Sequence, residues 1–239
     1  MRSRLRIEGL TVVLGGVRAV NDVSFQVSQG EVLGLIGPNG AGKTSAINAI
    51  SGYIKPTRGR VDLGGKDVTG WAPERLVRSG LARTFQGARL FGELTVYENV
   101  LVSALAKERR TAANRATLRT LERLGLADRA QELAKDQPAG VQRLLGLARA
   151  LATEPEVLLL DEPAAGLNDR ESEELKGLLR TLADDDGMTL VVIEHDMGLI
   201  MGLCDQIHVL NSGQTLFAGA PADARSNPAV IEAYLGSAA

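Results

Sequence analysis

Gly37-Pro38-Asn39-Gly40-Ala41-Gly42-Lys43-Thr44 fits the pattern G-x-x-x-x-G-K-[ST], and its flanks supply the context that this pattern needs. Before it, Val32-Leu33-Gly34-Leu35-Ile36 is a short apolar run that predicts a buried parallel strand. After it, Ser45-Ala46-Ile47-Asn48-Ala49-Ile50-Ser51 reads as a helix stopped by Gly52. A strand, a glycine-rich turn and a helix N-terminus together make an anion site. Backbone N–H groups point inward, the helix dipole adds partial positive charge, and the glycines let the backbone approach phosphates without a Cβ. The stretch from Gly37 to Ser45 is therefore expected to line a nucleoside triphosphate. Lys43 is placed to reach the β and γ phosphates, and the Thr44 hydroxyl to ligate Mg²⁺.

The second chemical element is Val157-Leu158-Leu159-Leu160-Asp161-Glu162-Pro163. An apolar strand ending in acids puts carboxylates at the carboxyl edge of a sheet, where ligands of open α/β folds bind. Asp161 is expected in the Mg²⁺ shell. Glu162 is expected to polarise the water that attacks the γ-phosphate, as general base.

Length and composition agree with one large domain, with room for an inserted lobe: 239 residues, of which 23% are charged, with a net charge of -2. That balance gives no basic surface for nucleic acid. No apolar run approaches the roughly eighteen residues that cross a bilayer. The basic start, Met1 to Arg6, is followed by no apolar core of a secretory signal. The single cysteine, Cys204, excludes an internal disulfide, suits a reducing cytosol and reads as a small core residue.

Along the chain three regions separate. Leu5 to Ser28 alternates in a β-like way, with Gly15-Gly16 and Asn21-Asp22 as turn signals, and Arg60-Val61-Asp62-Leu63 continues this antiparallel region. From about residue 88 to residue 152 the pattern is helical. Asn114 to Leu126 reads as an amphipathic helix with leucines at 118, 121 and 124, and Gln142 to Leu151 as another helix. Apolar strands return at Val157–Leu160 and Thr189–Ile193, each preceded by a helix, the rhythm of a parallel sheet. Ile207–Leu210 and Gln214–Ala218, joined through Asn211-Ser212-Gly213, read as a terminal hairpin.

The order of the phosphate loop, Thr84-Phe85-Gln86, Asp161-Glu162-Pro163-Ala164-Ala165-Gly166-Leu167-Asn168 and Ile193-Glu194-His195-Asp196 resembles the ATP-binding subunit of ABC transporters over nearly the whole chain. The resemblance implies a P-loop NTPase of α/β class: a RecA-like core with an antiparallel β-subdomain and an inserted helical subdomain, forming one nucleotide-binding domain over 1–239. It implies ATP and Mg²⁺ as cofactors. Gln86 falls on the glutamine loop, which contacts Mg²⁺ and the transmembrane partner, and His195 on the switch histidine that hydrogen-bonds the γ-phosphate. A histidine at a strand end is by itself more often structural, and His208 keeps that reading. Partner permeases and a second ATPase subunit are implied, with attachment through them to the cytoplasmic face of the membrane.

Within the family, Asp161 to Asn168, Glu194-His195-Asp196-Met197, Ile200-Met201-Gly202, Asn227-Pro228 and Ala233-Tyr234-Leu235-Gly236 look like the branched-chain amino-acid importers. Arg83-Thr84-Phe85-Gln86 with Arg89-Leu90-Phe91 supports the same placement; urea and short-chain amide importers share the style. Other family branches fit less well. Chromosome-acting members carry long coiled coils between the two motifs, and about 118 residues leave no space for one. Translation-type members have two ATPase domains, and a plain P-loop kinase would lack His195 and the Pro163-to-Asn168 stretch.

Two departures from the family pattern stand out. Leu14 occupies the place of the aromatic residue that stacks on adenine, which removes the π-face and leaves an apolar surface. The signature Leu-Ser-Gly-Gly-Gln, which closes over the ATP of the opposite subunit, aligns with Gln137-Pro138-Ala139-Gly140-Val141. Pro138 has neither hydroxyl nor N–H, although proline suits the start of a helix. Contacts from Pro138 and Gly140 to the partner's phosphates are thus expected to be weakened, and the partner ATPase is expected to be a non-identical relative with an intact signature.

Overall fold

The computed structural model describes residues 3–85, 87 and 89–235. Strands β1 (Ser3–Leu14) and β2 (Val17–Ser28) pair antiparallel across Gly15-Gly16. Both glycines have positive φ, 55° and 85°, which a two-residue hairpin of matching twist requires. The other predicted turn, Asn21-Asp22, is instead inside β2. Asp22 sits at φ 57° in a register shift opposite Leu10–Val12, with its N–H bonded to Thr11 Oγ1 at 3.2 Å. A bulge uses the same left-handed tolerance of Asp as a turn, so the local signal was real and its context differed.

The chain continues through β3 (Val32–Ile36), α1 (Lys43–Ile50), β4 (Arg58–Leu63), β5 (Lys66–Asp67), α2 (Pro73–Arg78) and β6 (Leu81–Arg83). Three helices follow, α3 (Val96–Ala104), α4 (Arg110–Arg123) and α5 (Ala139–Leu151), and then β7 (Val157–Asp161), α6 (Asp169–Asp184), β8 (Thr189–Ile193) and α7 (Met197–Leu203). A hairpin of β9 (Gln206–Asn211) and β10 (Gln214–Gly219) precedes α8 (Pro221–Ser226) and α9 (Pro228–Leu235). One sheet has the order β2-β1-β4-β5, the other β10-β9-β3-β8-β7-β6. The second is parallel except at β10.

Strands β3, β7 and β8 are buried at every residue because apolar layers cover both faces. Val157 and Leu159 pack with β1, β2 and α1, whereas Leu158 and Leu160 join α3 to α7 on the other face. The period-two alternation of one strand thereby holds two cores together.

The stretch 88–152 contains α3, α4 and α5 between the neighbouring strands β6 and β7. The helix expected over Asn114–Leu126 runs from Arg110 to Arg123, and Leu118 is 50% exposed. Its buried face is made of Ala113, Ala116, Thr117, Thr120 and Leu121. Small residues let this helix sit close to its neighbours, so a search for leucines found the wrong stripe. Helices α8 and α9 were not foreseen; Pro221 and Pro228, each at a helix start, were the available signal.

His208 is structural, as expected. It is 2% exposed on β9, its Nε2 lies 2.9 Å from Thr215 Oγ1, and Phe25 packs 5.3 Å away ring to ring. Burial pushes its pKa down from the usual 6.5 to about 4. Between these values the unfolded chain binds a proton that the folded chain refuses, so stability falls as pH drops through that window and is unaffected above it. His208→Gln should remove this component, worth at most about 3 kcal/mol by the lower end. Urea unfolding of both proteins from pH 7.5 to about 4.5 measures it; parallel curves would refute the assignment.

Candidate nucleotide and catalytic site

Strand β3 delivers the phosphate loop and α1 continues it. The loop is wedged between two backbones. A Cβ on Gly37 would stand 2.1 Å from the Leu210 carbonyl, and one on Gly42 2.3 Å from that of Ala19. Glycine is the residue that fits both places. Pro38 is half-buried, while Asn39 and Gly40 face solvent. Lys43 is the first residue of α1 and is 6% exposed; its Nζ donates to the carbonyls of Gly37 at 2.6 Å and Pro38 at 3.0 Å. Burial lowers its pKa, and the charges of Glu162 and Asp161 oppose that shift. A buried ammonium held by neutral carbonyls, with carboxylates near, fits a triphosphate with its Mg²⁺. Thr44 is exposed and Ser45 half-buried in the first turn of the helix.

Asp161 ends β7, and pairing of β7 with β6 brings Arg83 beside it. Arg83 Nη2 lies 2.7 Å from Asp161 Oδ2, with both side chains under 10% exposed. The same guanidinium donates to Asn48 Oδ1 at 2.6 Å and Ser51 Oγ at 3.1 Å, tying α1 to the sheet edge. Sequence reasoning quoted Arg83 only as part of a family string. Its role follows from strand pairing, which sequence does not display. Gln86, read as a Mg²⁺ and partner contact, lies outside the described residues.

Glu162 follows Asp161 in the left-handed region, φ 50°, with its N–H bonded to the Ile193 carbonyl at 2.9 Å. His195 follows the neighbouring strand β8, and its Nε2 lies 2.6 Å from Glu162 Oε1. Asp196 caps α7 just beyond, accepting from the N–H groups of Gly198 at 2.7 Å and Leu199 at 3.1 Å, and so sets the direction of this turn. Lys43, Asp161, Glu162 and His195, drawn from three segments of chain, thus meet at one sheet edge.

The altered signature begins α5. Pro138 is the N-cap residue, with φ -55° and no side-chain cap bond; Pro138 and Ala139 are exposed. Its carbonyl still accepts from Gln142 N at 2.9 Å. Gln137 is turned inward, 5% exposed, and bonded to Arg129, Glu132 and the Leu133 carbonyl. Gly140 sits where a Cβ would be 3.0 Å from Glu171 Oε1. Glu171 in turn forms a reciprocal cap with Asn168 at the start of α6. A cavity of about 710 Å³ separates Pro138 and Gly140 from Asp161 and Glu162. Leu14 is 41% exposed at the end of β1, beside exposed Val13 and Val17. Among the described residues no helix is long and apolar enough to cross a membrane.

Residues 20–165 match the family described as ABC transporter, and residues 214–239 match that described as branched-chain amino acid ATP-binding cassette transporter. The chain is 43% identical to the high-affinity branched-chain amino acid transport ATP-binding protein LivG of Salmonella typhimurium, over 98% of each protein. It is 42% identical to the corresponding protein BraF of Pseudomonas aeruginosa, over 99% of each. Among solved structures, the ADP conformation of MJ1267, an ATP-binding cassette of an ABC transporter, superposes with a TM-score of 0.91 at 30% identity, covering 99% of this chain and 100% of that one. The fold, the ordered motifs and these matches agree: the chain belongs to the ABC transporter family, as one of its ATP-binding cassettes.

Proposed function

We propose that this ATPase powers import of branched-chain amino acids through a pair of membrane permeases, to which it binds on the cytoplasmic face. The names of its relatives and the match at 214–239 support that substrate class. One observation carries the catalytic reading: Glu162 Oε1 and His195 Nε2 lie 2.6 Å apart at the same sheet edge as Lys43. The loop from Gly37 to Ser45 wraps the phosphates, and Lys43 exchanges its two carbonyl bonds for β and γ oxygens. A bound Mg²⁺ supplies charge neutralisation on the phosphates; the Thr44 hydroxyl and the Asp161 carboxylate are the described groups placed to hold it. Glu162 accepts a proton from the attacking water, and His195 orients that carboxylate and can hydrogen-bond the γ-phosphate.

In this reading two cassettes pair head to tail, and each signature loop closes over the other's nucleotide. The first turn of α5 retains backbone N–H groups at Ala139, Gly140 and Val141, but Pro138 offers no donor. The productive dimer therefore joins this chain to a non-identical ATPase with an intact signature. Vesicles containing this chain with permeases, binding protein and second ATPase from the same source test the substrate class. ATP-dependent uptake of labelled leucine, isoleucine and valine is expected; uptake of urea or acetamide in their place would move the assignment to amide import.

A further inference from the structure

Glu194 is 4% exposed, and the reading above leaves it without a task. Its two oxygens are divided between two turns. Oε1 accepts from the N–H of Ala164 at 2.6 Å, and Oε2 from the N–H of His195 at 2.9 Å. Ala164 belongs to the turn that carries Glu162, where the Ala165 N–H bonds the Glu162 carbonyl at 3.3 Å and the Leu167 N–H bonds that of Ala164 at 3.0 Å. Glu162 itself is a non-glycine residue at φ 50°. Such a conformation persists only where neighbouring bonds hold it, and here they are the Glu162 N–H to Ile193 and the Ala164 N–H to Glu194. A carboxylate is costly to bury unless it is well bonded, so packing alone would be better served by an apolar side chain.

We propose that Glu194 is a positioning residue for ATP hydrolysis: it clamps the turn bearing Glu162 to the turn bearing His195, and so sets the 2.6 Å contact between them. The proposal rests on the assignment of Glu162 and His195 to hydrolysis. Removing the carboxylate releases two backbone N–H groups, and both catalytic side chains lose their common reference. Nucleotide binding depends on the phosphate loop, to which Glu194 makes no hydrogen bond among the described residues.

The chain has only two histidines, His195 and His208, which makes imidazole NMR a direct probe of the clamp. In the full-length protein, Glu194→Ala and Glu194→Gln should shift the His195 ring resonances and leave those of His208 in place. ATP affinity should stay within about twofold. In the assembled transporter kcat should fall about tenfold or more with KM unchanged, and less for glutamine, which keeps one acceptor. If the alanine variant does not fold, the isosteric glutamine variant carries the test. An unmoved His195 signal overturns the proposal, as does a shifted signal with normal kcat. Loss of ATP affinity together with His208 shifts overturns it too, since that is general damage. If Glu162→Gln turns over normally the catalytic reading falls, while the His195 shift still decides whether the clamp exists.

Discussion

Glu162→Gln in this chain should abolish ATP turnover by the assembled transporter, while the matching change in its partner ATPase should cost much less. The amide keeps the shape of the side chain but cannot accept the water's proton. The asymmetry comes from Pro138. The site made of Lys43, Asp161, Glu162 and His195 is closed by the partner's intact signature. The opposite site is closed by the loop from Gln137 to Val141, which has lost the serine hydroxyl. One hydrogen bond to a charged group is worth about 1.5–3 kcal/mol, or roughly tenfold to more than a hundredfold in rate. The opposite site should therefore bind ATP and turn it over slowly. This chain alone, with two such sites, should be a poor ATPase. Steady-state rates of both single variants in one reconstituted preparation give the answer; equal losses would show that the proline-capped helix start still grips the γ-phosphate.

Lys43→Ala should remove most triphosphate affinity, by roughly tenfold to a hundredfold or more. The ammonium is buried at the mouth of α1, where the Gly37 and Pro38 carbonyls hold it and the charges of Asp161 and Glu162 favour its protonated form. Without it, helix dipole and backbone N–H groups face the β and γ oxygens without a full positive charge. The fold should persist, because the two freed carbonyls lie at a loop edge that water reaches. Calorimetry with ATP and a thermal melt of the same sample check both statements. Near-normal binding would show that Lys43 does not face the phosphates.

Much of this protein was legible from short stretches of chain. The phosphate loop, the acidic end of β7 and the histidine after β8 are each local: an apolar run that must be a buried strand, followed by the residues that its carboxyl end presents. Because every such strand is parallel, all these ends fall on one edge, so the order of motifs already implied one site. Local patterns failed where two backbone states share a signal. Asn21-Asp22 serves a bulge as well as a turn, and the face of α4 is set by alanines and threonines rather than by leucines.

What only the tertiary structure decided is which polar groups meet across strands. Sequence placed Arg83 and Glu194 beside known motifs and could say no more, because strand order is not written in any one segment. Pairing of β6 with β7 set Arg83 against Asp161, and pairing of β7 with β8 put Glu194 between Ala164 and His195. The residue types that do the chemistry were thus determined by the chain itself. The 2.6 Å meeting of Glu162 with His195, and the buried carboxylate behind it, arise from contacts more than thirty residues apart, which only folding brings within hydrogen-bonding range.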